Sequence, residues 1–122
     1  MKKLTADFYE HEFDSPDTGE CKMDSKFMTV LQALRTKVGV KFIITSGYRT
    51  PEYNALKKGE DDSLHLKGLA ADVSHETWDG LTKHRFIREA SEMGFSIGIY
   101  PRHFHIDFRN APTVLWIAGI KP

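Results

Sequence analysis

The stretch RHFHIDF, Arg102 to Phe108, alternates polar and apolar residues with a period of two. Successive side chains of a strand point to opposite faces. His103, His105 and Asp107 therefore share one face, and Phe104, Ile106 and Phe108 the other. Such a strand belongs in a sheet whose apolar side is covered and whose polar side stays open. The polar side reads in two ways: the wall of a metal site, or the solvated face of a half-buried edge strand. Alternation alone leaves both open.

The rest of the chain supplies the covering elements. Residues 1–23 form an N-terminal segment and a loop, with DSPDTGEC (Asp14 to Cys21) rich in turn formers. DSKFMTVLQALRTKVG predicts a helix: Asp24 can cap it, Phe27, Val30, Leu31, Leu34 and Val38 follow the helical period, and Gly39 can end it. VKFIITS (Val40 to Ser46) reads as a short buried strand. TPEYNALKKG reads as a short helix, with Thr50 as cap, Pro51 first and Gly59 past the end. LAADVS (Leu69 to Ser74) reads as a strand with Ala70, Asp72 and Ser74 on one face. A helix follows from about Trp78 to Met93, then FSIGIY, the RHFHIDF strand, and a last strand in TVLWIAGI. Helices come early and in the middle, and three strands crowd the C-terminal half. The expected class is α+β, one domain over residues 1–122, with helices on one side of a mainly antiparallel sheet.

Several function classes are excluded early. Formal net charge is zero, so there is no electrostatic case for nucleic acid or an anionic membrane as partner. The single cysteine, Cys21, argues against a cysteine-based zinc cluster and rules out an intramolecular disulfide. No apolar run approaches a membrane span. Asp7, Glu10 and Glu12 stand where a signal peptide needs an apolar core, so no export signal is expected.

Partners for the opening strand lie upstream, in SLHLKGLAADVS. His65 ends a loop, and Asp72 sits seven positions on, in a strand. Gly68 between them lets the backbone turn and another element approach. A third group from a neighbouring strand would complete a site, and His105 is placed to supply it. Two imidazoles and one carboxylate, with a position left for water, is the composition of a catalytic zinc site. One carboxylate leaves the ion with net positive charge, able to acidify water and polarise a carbonyl. His103, two residues earlier on the same face, would stand beside the ion, near the water or the developing oxyanion.

With these residues in view, SGYRTPEYN, SLHLKGLAADV and IGIYPRHFHIDF resemble the zinc peptidases of bacterial cell walls. These are the D-alanyl-D-alanine carboxypeptidases and L-alanyl-D-glutamate endopeptidases, many of them phage endolysins. They share a metal-site pattern with lysostaphin-type endopeptidases and the hedgehog signalling domain. The resemblance runs from about Phe8 to Trp116. It implies a hedgehog/DD-peptidase-like fold and a site within residues 46–108, with His65, Asp72 and His105 as zinc ligands. It also implies that Ser63 lines the substrate cleft and that Arg49 holds substrate or stabilises transition-state charge, a role suited to a permanently charged fork of donors. The implied substrate is the peptide stem of peptidoglycan. The implied protein is a monomer made in the cytoplasm, of a phage-infected host if it is a lysin, and acting on the cell wall.

One position departs from the pattern. Many members carry Glu or Asp two or three residues before the last ligand, as general base. Here those positions hold His103 and Arg102. The base is read as His103, which subgroups with His-x-His place near the water, with Asp107 the alternative. Asp107 could instead orient a ligand imidazole. Two rival functions follow from the residues. His105 and Asp107 form a His-x-Asp pair like that of non-haem iron oxygenases, but no histidine follows to complete the triad. A zinc-binding module without catalysis is the other rival, favoured by the missing acidic base. The remaining histidines, His11, His75 and His84, read as surface residues, and Tyr48 and Tyr100 as packed aromatics.

Overall fold

The computed structural model describes residues 2–119. Helix α1 (Ser25–Val38) begins where the Asp24 carboxylate accepts from the amide of Phe27, satisfying a donor the helix itself cannot. It ends at Gly39, which takes the left-handed conformation at φ 81°. Phe27, Met28, Leu31, Leu34 and Val38 are its buried residues. Val30 of the expected stripe is only partly buried, and Met28 lies in the core. Helix α2 (Pro51–Leu56) is capped by the Thr50 hydroxyl and stops short of Gly59. Helix α3 (Gly80–Glu92) is capped by Asp79, whose side chain accepts from the Thr82 amide. Trp78 thus lies outside the helix, and its ring packs on Phe42, Phe86 and Phe104. No helix among the described residues is long and apolar enough to cross a membrane.

Five strands form one sheet: β1 (Ile44–Ser46), β2 (Ala70–Ser74), β3 (Ser96–Ile99), β4 (His103–Asp107) and β5 (Leu115–Ile117), in the order β1-β2-β4-β3-β5. All neighbours are antiparallel except β3 and β5. The chain is therefore α+β, as the element pattern predicts. Pairing of β2 with β4 sets Ala70 against Asp107, Asp72 against His105 and Ser74 against His103. One face of this ladder is thus polar and the other holds Ala71, Val73, Phe104 and Ile106, all buried. That apolar face joins Ile97 and the buried sides of α1 and α3 in a single core. Phe86 stacks on Phe104 with centroids 5.0 Å apart, and Phe95 on Phe108 at 4.5 Å. Each fully buried phenylalanine contributes roughly 1.5–3 kcal/mol by leaving water.

Two expectations are corrected and one is narrowed. The buried strand expected over Val40 to Ser46 is a three-residue edge strand with an irregular register between Ile44 and Ser46. Only Phe42 of the segment enters the core fully, while Ile43 is half exposed. The last strand occupies Leu115–Ile117 of the expected TVLWIAGI, whose final residue, Ile120, lies outside the described residues. His75 is not a surface residue. It is 6% exposed, its ring lies against Phe104, and its Nε2 bonds the Tyr100 carbonyl at 2.8 Å. His11 and His84 are exposed.

Candidate metal centre

His65 is delivered by a short turn of 3-10 helix (Leu64–Lys67) between α2 and β2. Ser63 caps the turn, its hydroxyl accepting from the His65 amide at 3.3 Å. Gly68 ends it at φ 68° and lies against the Lys22 and Met23 backbone. The chain can then pass from His65 directly into β2. His65 is 3% exposed, and its Nδ1 lies 2.7 Å from the carbonyl oxygen of Gly47. A carbonyl only accepts, so Nδ1 carries the proton and Nε2 keeps a free lone pair. That Nε2 lies 3.4 Å from Asp72 Oδ1.

Asp72 and His105 arrive by register, directly opposite each other on β2 and β4. His105 Nδ1 is 3.0 Å from Asp72 Oδ1, and its Nε2 is 2.7 Å from Asp107 Oδ2. One ligand atom each from His65, Asp72 and His105 falls within 4.8 Å of the other two. This donor set fits a divalent ion. Each imidazole has its outward nitrogen tied to an oxygen acceptor, the usual support of a ligating histidine. Two neutral nitrogens and one carboxylate leave a 2+ ion with excess charge.

Charges inside the cluster are strongly coupled. Burial works to raise the Asp72 carboxyl, but the His105 and His65 imidazoles beside it outweigh burial and hold it well below the usual carboxylate range. Burial works to lower the His105 imidazole, yet hydrogen bonds to Asp107 and Asp72 push it up to about 9. Asp107 is held below its ordinary value against burial, by His105 and then Arg109. Burial pushes His103 down, with the Asp72 charge opposing.

The cluster floors an open cleft of about 770 Å³ that Arg49, Ser63, His103, Asp107 and Arg109 also line. Arg49 follows β1, and its Nε donates to Ser46 Oγ at 3.1 Å and its Nη1 to Asn54 Oδ1 at 3.3 Å. Held so, Arg49 Nη2 points to Asp72 Oδ2 at 3.7 Å. His103 Nε2 lies 3.8 Å from the same oxygen, and Tyr100 stacks on the His103 ring at 4.6 Å. Asp107 is 1% exposed, and both its oxygens accept, from His105 and from Nε and Nη2 of Arg109 at 3.0 and 2.7 Å.

All seven candidate residues therefore lie around one cleft. Three others were not among them. Arg109 continues the alternation of His103, His105 and Asp107, and that period was the available signal. Asn54 and Trp116 had none: Asn54 enters only by bonding Arg49 from the following helix, and Trp116 comes from a strand whose place in the sheet no local pattern gives.

A family model described as Peptidase M15 matches residues 4–107 of the chain. No curated protein matches it.

Proposed function

The chain belongs to the peptidase M15 family, and we propose that it is a zinc-dependent peptidase that hydrolyses stem peptides of bacterial peptidoglycan, as a lysin of phage or prophage type. The observation that carries this reading is the convergence of His65, Asp72 and His105 at the floor of an open cleft. A closed structural zinc site would spend a fourth protein ligand, whereas three ligands beside an open cleft leave room for water and substrate. When bound, zinc supplies Lewis acidity that polarises a carbonyl and lowers the pKa of water.

The chain's own residues do the rest. Asp107 holds the His105 ring through Nε2, and the Gly47 carbonyl holds His65 through Nδ1. Arg49, fixed by Ser46 and Asn54, offers Nη2 to the oxygen that gains negative charge. His103 stands across the same carboxylate, where its Nε2 can accept a proton and return it to the leaving amine. Ser63 shapes the rim beside His65. The product is formed at the cell wall by a monomer made in the cytoplasm.

Mass spectrometry of fragments released from defined muropeptides, with and without chelator, tests the reading. Chelator-sensitive cleavage of the stem peptide is the expected result. Zinc binding without any cleavage would favour the second reading, a zinc-binding module, for which the absence of an acidic residue at positions 102 and 103 speaks.

A further inference from the structure

Trp116 reaches His105 because the residue between them has no side chain. On the cleft face, the strand order places Gly98 of β3 between His105 of β4 and Trp116 of β5, in register with both. The indole lies across this gap. A Cβ on Gly98 would stand 2.5 Å from its Cζ2 and 2.6 Å from its Cε2. The indole meets the imidazole with ring centroids 5.4 Å apart and planes at 49°.

Two further groups hold the indole. Its Nε1 donates to the Tyr100 hydroxyl at 3.3 Å. The Arg109 guanidinium sits over it, 5.2 Å from the ring centroid. The same guanidinium clamps Asp107 with two hydrogen bonds, and Asp107 in turn holds His105 Nε2. Asp72 and Asp107 fix both nitrogens of His105 along one line. The indole packs against the ring so held, where it resists rotation about the Cβ–Cγ bond. We propose that Trp116, seated across Gly98 and held by Arg109 and Tyr100, is a positioning residue that keeps the His105 ring aimed at Asp72 and so sets the metal affinity of the site.

The inference rests on the metal reading of the cluster. Its test uses the full chain and two readouts besides turnover: zinc affinity by competition with a chromophoric chelator, and the visible spectrum of the cobalt(II)-loaded protein. Far-UV circular dichroism checks the fold. Trp116→Ala should weaken zinc binding roughly 10–100-fold, as loss of a ligand's outer support does, and alter the cobalt bands. Gly98→Ala should reproduce that effect by unseating the indole. The double variant should bind no worse than Trp116→Ala alone, since both act on one contact. Trp116→Phe, which keeps a ring over Gly98, should recover most of the affinity. Arg109→Gln, at a partly exposed side chain, gives a second route if Gly98→Ala does not fold, and it too should weaken binding. Wild-type affinity in Trp116→Ala or in Arg109→Gln overturns the brace, as does additivity of the two substitutions at positions 98 and 116. Failure of the unaltered protein to bind zinc overturns the metal reading itself.

Discussion

The His65 imidazole donates from Nδ1 to the Gly47 carbonyl at 2.7 Å. This one bond settles the tautomer of a buried histidine and turns its lone pair toward Asp72. A separate contact, with Phe13, explains why a glycine precedes Tyr48. A Cβ on Gly47 would meet the Cα of Phe13 at 2.7 Å and its Cβ at 2.8 Å. Gly47→Ala should therefore push the segment off Phe13 and carry the carbonyl away from His65. We expect a loss of about 1–3 kcal/mol in stability, the usual range for overpacking, together with weaker zinc binding. Denaturant melts and chelator competition measure the two. If both stay at wild-type values, the carbonyl does not set the imidazole.

Metal removal should register as lost stability. An ion that binds only the folded chain at a hundredfold excess over its Kd adds about 2.7 kcal/mol. For a chain of this size that is a Tm rise on the order of 10 °C. Zinc should produce it and chelator reverse it. In His65→Ala, Asp72→Ala or His105→Ala the zinc-dependent rise should vanish. A variant that keeps the full rise removes its residue from the ligand set.

Two neighbours of Asp72, His103 and Arg49, should separate binding from turnover. His103→Ala leaves the three ligands in place, so zinc affinity should hold while kcat falls roughly 10²–10⁴-fold, the usual contribution of general acid–base catalysis. Arg49→Lys keeps a charge but not the fork that joins Ser46, Asn54 and the cleft. It should lower kcat about 10²–10³-fold. Asn54→Ala frees the same guanidinium and should move kcat in the same direction by less. Unchanged kinetics in His103→Ala would leave proton transfer to another group.

The site was legible because its residues ride on strands. Once His103, His105 and Asp107 are known to share a face, and Asp72 to sit mid-strand, pairing of the two strands brings them together. What stayed hidden depends on strand order and on loops. Nothing local tells that β3 stands between β4 and β5, so the seat of Trp116 on Gly98 could not be read. The loop DSPDTGEC shows only turn formers in its sequence, yet its Ser15 is fully buried and accepts from the Thr50 amide, while Asp17 accepts from the Thr50 hydroxyl. That clamp fixes the start of α2, and α2 carries the Asn54 that aims Arg49. His75 misleads for a related reason. Polar residues at strand ends are commonly solvated, but this one is folded under the β3–β4 turn by its bond to the Tyr100 carbonyl.

Gly68 links the metal site to the N-terminal half of the fold, and substitution there should show it. The residue sits at φ 68°, where a Cβ is strained by about 1–3 kcal/mol. The same Cβ would fall 2.0 Å from the Lys22 carbonyl oxygen and 2.8 Å from the Met23 Cα. Both are backbone atoms and cannot rotate aside. The Gly68 carbonyl moreover accepts from the amide of Asp24, the residue that caps α1. Gly68→Ala must therefore displace either the turn that presents His65 or the start of α1. Strain and overpacking together predict a loss of roughly 2–5 kcal/mol. Gly80→Ala is the control, because its Cβ meets nothing within 4 Å and it begins α3. There the unfolded chain loses freedom without strain in the fold, and stability should rise by about 0.4–1 kcal/mol. Urea denaturation of both variants decides the matter. Equal stabilities would mean that the close approach of Gly68 to Lys22 does not hold the His65 turn in place.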